Sequence, residues 1–123
     1  MAANKAFRFG PLALTNTLTT NILNPGTTTG GVNSGTPENL YIILKHIRIV
    51  NKTAGAVTAS LWIGATGANA AGTEFAFQGT SVPANSFLDW FGLVRLDVAD
   101  FLVGGAGAAT SLSIEGEGEI GIR

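Results

Sequence analysis

A β-strand is clearest in LYIILKHIRIVN, residues 40–51. In its second half Ile47 and Ile49 share one face, while His46 and Arg48 share the opposite face. This period of two is typical of a strand with one face in a core and one face outside it. The segment therefore predicts a half-buried strand.

The alternation fails near Leu44 and Lys45, so either a β-bulge lies there or residues 40–44 are buried on both faces. The next residues, NKTAG at 51–55, predict a hairpin connection. It leads to a second strand at 57–63, in which apolar residues alternate with polar ones and Trp62 lies on the polar side. We expect the two strands to pair.

Further short strands are predicted on both sides of this hairpin. Three of them are Ala6–Leu14, in which Pro11 marks an edge strand, Leu18–Leu23 and Phe75–Phe77. The others are a strand just before the Pro83-Ala84-Asn85 turn, Ser86–Phe91 with an extended continuation to Asp100, and Phe101–Val103. About eight strands without a helical period predict an all-β fold: one antiparallel β-sandwich domain over residues 1–123, jelly-roll-like.

The last strand has the most regular pattern. One face carries Leu112, Ile114, Ile120 and Ile122, and the other carries Glu115, Glu117 and Glu119. Gly116 and Gly118 interrupt the apolar face. Glycines within a strand indicate a bulge or the close approach of another backbone, which would let this strand pass from one sheet or subunit to another.

The charge content is unusually low. Only 12% of residues are charged, against roughly 25% in ordinary globular proteins, and the net charge is −1. With 17 Gly, 14 Thr, nine Asn and six Ser, the surface is largely neutral. We therefore expect a homo-oligomer such as a trimer. The absence of a basic stripe argues against a nucleic-acid partner, and no apolar run is long enough to span a membrane.

Several segments read as an arm or as loops: residues 1–6, 24–39, 64–72 and 104–109. The 24–39 segment, NPGTTTGGVNSGTPEN, is longer than strand pairing requires. We expect residues 1–6 and 24–39 to be flexible and to become ordered on assembly, although plain disorder fits the composition equally well. No secretory signal is evident, so export is not expected.

No catalytic set emerges from the reactive side chains. The chain has no cysteine, and His46 is its only histidine, with no nucleophile motif to accompany it. The three C-terminal glutamates stand about 6.8 Å apart along one strand face, too far for one ion to bind all three; two of them could share a cation with an outside ligand. We predict instead that they pair with Lys45, Arg48 or Lys52, or face solvent, and we assign no catalytic residue, cofactor or metal ligand.

The candidate interface residues are of two kinds. Trp62 and Trp90 are aromatic anchors, and Trp62 on a polar face indicates sugar stacking, subunit burial or a second core. The polar candidates are His46, Arg48, Glu115, Glu117 and Glu119.

The order of motifs over residues 40–123 resembles the small β-rich virion proteins of tailed bacteriophages. The similar segments are HIRIVNKTAGAVTASLWIG at 46–64, SVPANSFLDWFGLVRLDVADFLVGG at 81–105 and TSLSIEGEGEIG at 110–121. The resemblance implies a non-enzymatic structural role in the virion after synthesis in the host cytoplasm. The expected function is that of a capsid cement or decoration protein that binds the major capsid protein. The alternatives are a tail, neck or fibre component and, more distantly, a carbohydrate-binding module.

Overall fold

The fold is an all-β sandwich. A computed structural model describes residues 5–18, 20–25, 39–64 and 73–122. It contains the strands β1 (Lys5–Ala13), β2 (Asn21–Leu23), β3 (Asn39–Asn51), β4 (Val57–Gly64), β5 (Thr80–Val82), β6 (Phe87–Asp97), β7 (Phe101–Ala106) and β8 (Leu112–Ile122). Across these ranges no helix is long and apolar enough to cross a bilayer.

The strands form two four-stranded antiparallel sheets, in the orders β1-β8-β3-β6 and β2-β7-β4-β5. The pairs β1–β8, β2–β7, β3–β6 and β4–β5 are nested, so the chain resembles one long hairpin rolled into two sheets. This nesting is the jelly-roll arrangement, so the predicted fold class is confirmed.

The core lies between the two sheets. The first sheet contributes Phe9, Ile42, Leu44, Ile47, Ile49, Leu96, Ile114 and Ile120, and the second contributes Leu23, Ala59, Leu61, Val82, Leu102 and Ala106, all of them buried. Both aromatic and β-branched residues fit such a pleated, enclosed surface. The opposite face of the first sheet carries the charged residues and the exposed apolar residues described below.

Lys45 forms a β-bulge: it is an extra residue against β8, whereas against β6 it lies opposite two residues, Gly92 and Leu93. The register of β3 shifts between Leu44 and His46 against both neighbouring strands. Leu44 and Ile47 therefore both face the core, although an uninterrupted strand would send them to opposite sides. Of the two readings of this segment, the bulge is correct, and it points His46 and Arg48 outward.

The glycines of β8 allow close packing within one sheet. A Cβ on Gly118 would lie 1.9 Å from the Ile43 carbonyl oxygen, and one on Gly116 would lie 2.2 Å from the Phe9 ring. The predicted close approach is confirmed, but β8 does not pass to another sheet: it stays between β1 and β3 along its length.

The predicted hairpin between residues 40–51 and 57–63 is wrong, because β3 and β4 lie in different sheets. The connection turns across the sandwich around Asn51, which is 1% exposed. Its side-chain amide donates to the carbonyls of Gly55 (2.9 Å) and Val82 (3.0 Å), and its Oδ1 accepts from the backbone N–H of Thr53 (2.9 Å). These contacts direct the chain toward the second sheet.

Three smaller features also differ from expectation. Residues 75–77 form no strand, although the Phe77 carbonyl accepts from the Leu61 N–H at 2.9 Å. Residues 104–106 belong to β7, since Gly104 pairs with Leu61. β2 begins only at Asn21, because Thr20 turns back to bond the Thr17 carbonyl.

The predicted flexible segments lie mostly outside the described residues. This holds for residues 1–4, 26–38 and 65–72. At the amino end the prediction is corrected, because Lys5 and Ala6 already belong to β1 and pair with Ile120 and Glu119.

Candidate functional site

Charged side chains cover the outer face of the β1-β8-β3-β6 sheet. One cross-strand row consists of Arg8, Glu117, His46 and Phe91, and the next consists of Glu115, Arg48 and Asp89. On flat neighbouring strands such rows bring side chains into direct contact. The two rows together form the candidate site.

His46 lies at the centre of this site, held between two carboxylates. Its Nδ1 is 3.0 Å from Oε1 of Glu117, and its Nε2 is 2.8 Å from Oδ1 of Asp89. The Phe91 ring stacks on the imidazole at a centroid distance of 4.7 Å, and the His46 side chain is only 15% exposed. Because a carboxylate only accepts hydrogen bonds, both ring nitrogens donate when His46 is protonated.

Arg48 holds Asp89 in place. Its Nε and one terminal nitrogen donate to the two Asp89 oxygens at 2.7 and 3.0 Å, and the guanidinium lies 4.2 Å from the centroid of the Phe87 ring. Two parallel bonds fix the plane of a carboxylate better than one. The chain Arg48, Asp89, His46 therefore has a defined orientation.

The electrostatics follow from these contacts. Burial by itself lowers the pKa of His46, but the hydrogen bonds and charges of Asp89 and Glu117 outweigh burial and raise this pKa above 6.5. The pKa of Asp89 falls to about 2, first because of the hydrogen bond from Arg48 and then because of that from His46. In the fold an imidazolium between two carboxylates is thus favoured.

A groove of about 460 Å³ opens above β8 in front of His46. Glu115 and Glu117 form its floor, and Arg8 and Arg48 lie on its two sides. The ligating atoms of His46, Glu115 and Glu117 all lie within 4.8 Å of one another. Imidazole and carboxylate donors converge here, as they do at cation sites.

No family model matches this chain, and neither does any curated protein or solved structure.

A second surface adjoins the site along β6, the edge strand of this sheet. We name it the β6 apolar strip; its members are Phe87 (47% exposed), Phe91 (72%), Leu93 (73%) and Val98 just beyond the strand (61%). Phe91 and Leu93 are neighbours on one strand face, and adjacent apolar side chains that are this exposed indicate an interaction surface.

The two tryptophans lie elsewhere. Trp62 on β4 is half-buried, and its indole N–H donates to Oε1 of Glu74 at 2.8 Å. Trp90 packs against the core and meets the Phe75 ring edge-on at a centroid distance of 5.4 Å. Neither residue belongs to the site around His46.

Among the glutamates, Glu119 forms an ion pair with Lys45, as predicted. Glu115 lies opposite Arg48 in the register, and Glu117 bonds to His46. Asp89 is the residue that sequence reasoning missed, and it joins Arg48 to His46. The available signal was the position of Asp89 within a predicted strand, directly before Trp90 and outside any turn.

Proposed function

We propose that this chain is a structural protein of a tailed bacteriophage particle, a cement or decoration protein that self-associates and binds across capsid subunits. The observation that carries the proposal is the β6 apolar strip. It exposes two phenylalanines and a leucine on a chain in which only 12% of residues are charged. Aromatic side chains of this kind supply much of the energy of protein interfaces.

The strand that bears the strip also has an available edge. β6 is 11 residues long, and no described strand pairs along its outer side. The other edge strand of the sheet, β1, carries Pro11 and a register shift that interrupt its edge. β6 carries no proline, and its own irregularity, where Gly92 and Leu93 lie opposite Lys45, is in its pairing with β3. Its outer edge is therefore a template for pairing with another chain.

The pairing partner that fits this edge is a second copy of the chain. An antiparallel pair of β6 strands centred on Gly92 places Phe91 opposite the partner's Leu93 and Asp89 opposite the partner's Arg95. Because the pair is two-fold symmetric, each contact occurs twice. Apolar contacts at the centre with opposite charges on both sides would give a self-complementary surface.

Two further considerations favour a virion over other settings. The resemblance over residues 40–123 is to phage virion proteins. Jelly rolls also occur repeatedly among viral capsid domains, as well as among lectins, and this is an argument by analogy of fold. Many weak contacts repeated by the symmetry of a particle would add up through avidity.

Sedimentation tests the self-association. We expect the wild-type chain at tens of micromolar to sediment at twice 12.6 kDa, the value for a β6-paired dimer, or at three times this mass for the trimer expected from composition. Leu93→Lys should yield the monomer, because a charge on an edge strand opposes pairing. Leu18→Lys is the matched control, since Leu18 is an exposed leucine outside β6, and it should leave the oligomer intact.

Electron microscopy of purified particles labelled with an antibody against this chain tests the location. Label distributed over the head supports a cement or decoration protein, and label on the tail or neck supports the alternative. Particles without label, together with a monomeric wild-type chain, would contradict the proposal.

A further inference from the structure

We propose that His46, Glu115 and Glu117 form a zinc-binding site on the floor of the groove above β8. The site lies on the outer face of the β1-β8-β3-β6 sheet, whereas Trp62 lies in the other sheet. Zinc binding at this site does not require the self-association proposed above.

The donor set suits the ion. Zn²⁺ binds imidazole nitrogen and carboxylate oxygen at about 2.0 to 2.2 Å, which separates tetrahedral ligand atoms by about 3.4 Å. Nδ1 of His46 and Oε1 of Glu117 are already 3.0 Å apart. All three donor atoms lie within 4.8 Å of one another, so a rotation of the Glu115 side chain suffices to close the set.

The histidine is oriented as a zinc ligand usually is. In metal sites the second ring nitrogen of a ligating histidine donates to a carboxylate, which is itself fixed by further hydrogen bonds. Here Nε2 of His46 faces Asp89 at 2.8 Å, and Asp89 is held by two bonds from Arg48. The nitrogen left for the ion is Nδ1, which points toward Glu117. Binding would displace the Nδ1 proton to solvent.

The charge of the cluster and its access to solvent also suit a bound Zn²⁺. Asp89 offsets the Arg48 guanidinium, so Glu115 and Glu117 face one further groove cation, Arg8, and the groove keeps a net negative charge. Glu115 has no hydrogen-bond or ion-pair partner among the described residues. Glu117 is 54% exposed, so its side chain can adjust to the ion. With three protein ligands, the fourth position opens into the groove, where water can occupy it.

Nitrogen NMR tests the site directly, because His46 is the only histidine in the chain. Untagged protein labelled with ¹⁵N-histidine gives one pair of ring signals, which need no assignment to a residue. We expect one equivalent of Zn²⁺ to shift the Nδ1 signal and to leave the proton on Nε2. A shift of Nε2 instead, or unchanged signals at a tenfold excess of Zn²⁺, would overturn the site.

Calorimetric titration of Zn²⁺ into the chelator-treated protein tests the other ligands. Glu115→Gln and Glu117→Gln should each weaken binding at least tenfold, and Asp89→Asn should weaken it about 10- to 100-fold by freeing the ring. Glu119→Gln is the matched control, since Glu119 lies on the same strand face but pairs with Lys45, and it should bind like the wild type.

The outcomes separate a site from adventitious binding and from misfolding. Equal losses in Glu119→Gln and Glu117→Gln, or wild-type affinity in both Glu115→Gln and Glu117→Gln, would show that zinc does not use this cluster. Thermal unfolding without zinc shows whether each variant folds. Leu93→Lys should retain zinc affinity even as a monomer, so failure of the site and failure of self-association are distinguishable.

Discussion

At the level of single residues, the charge on His46 should contribute to stability in a pH-dependent way. The folded pKa lies above the ordinary value of 6.5, so the stabilisation is fully present below pH 6.5 and is lost as the pH rises through the folded pKa. Asp89 acts in the opposite direction: its contribution is present above pH 3.8 and is lost as the pH falls toward about 2. Urea unfolding of the metal-free protein should therefore show lower stability at pH 9 than at pH 6.

The proton signal of the single imidazole measures the same pKa. Asp89→Asn should lower the His46 pKa, because it removes a charged acceptor from Nε2. Asp97→Asn provides the control, since Asp97 pairs with Arg95 away from the imidazole. Equal pKa values in the wild type and Asp89→Asn would contradict the structural account.

Asn51 is the second residue with a predictable effect. Replacement by alanine removes the hydrogen bonds to the buried Val82 carbonyl and to the N–H of the half-buried Thr53. We expect Asn51→Ala to lower the free energy of unfolding by about 1 to 3 kcal/mol, the range for unsatisfied buried groups. Asn16→Ala, at an exposed asparagine, should change the free energy of unfolding by less than about 0.5 kcal/mol. Equal urea midpoints for Asn51→Ala and the wild type would refute the role of Asn51 in this turn.

The site illustrates what local patterning can and cannot predict about residues. The outward direction of His46 and Arg48 follows from the alternation on β3. Their partner Asp89 does not, because it lies 43 positions from His46 and meets it only through the register of β3 against β6. A one-residue shift in that register would have placed Asp89 on the other face.

At the level of elements, the glycines of β8 make the sheet possible. A methyl group on Gly118 would lie 1.9 Å from a backbone oxygen of β3, so either β3 or β8 would have to move. We expect Gly118→Ala to destabilise the protein by about 1 to 3 kcal/mol, as overpacking does.

Gly55→Ala is the control for this prediction. A Cβ at Gly55 meets no atom within 4 Å, so this change should be close to neutral in urea unfolding. A neutral Gly118→Ala variant would show that the strands separate more easily than the packing indicates.

Strand positions were largely predictable, whereas one strand partner was not. Alternation located β3, β4 and β8 to within a few residues and indicated the bulge at Lys45. The hairpin between β3 and β4 was wrong because a short polar connection fits both a hairpin turn and a crossing between sheets. The deciding contacts of Asn51 reach Val82, which no local pattern shows.

At the level of the whole molecule, self-association should depend on apolar contact more than on charge. Fifteen of the 123 residues are charged, and the β6 apolar strip occupies the available edge. Raising the salt concentration from 0.1 to 1 M shortens the screening length from about 10 to 3 Å and weakens surface ion pairs. We expect the sedimenting oligomer to persist at 1 M NaCl. Dissociation at 1 M NaCl would instead show that the oligomer depends on ion pairs such as that between Asp89 and the partner's Arg95.

The nested strand order also determines how the protein responds to mechanical load. β1 and β8 are neighbours and antiparallel, so Lys5 lies beside Ile120 at the same corner of the sandwich. Tension applied through these two ends would peel β1 from β8 one hydrogen bond at a time, instead of shearing all of their bonds together. A domain with this strand order therefore yields at low force when it is pulled at Lys5 and Ile120.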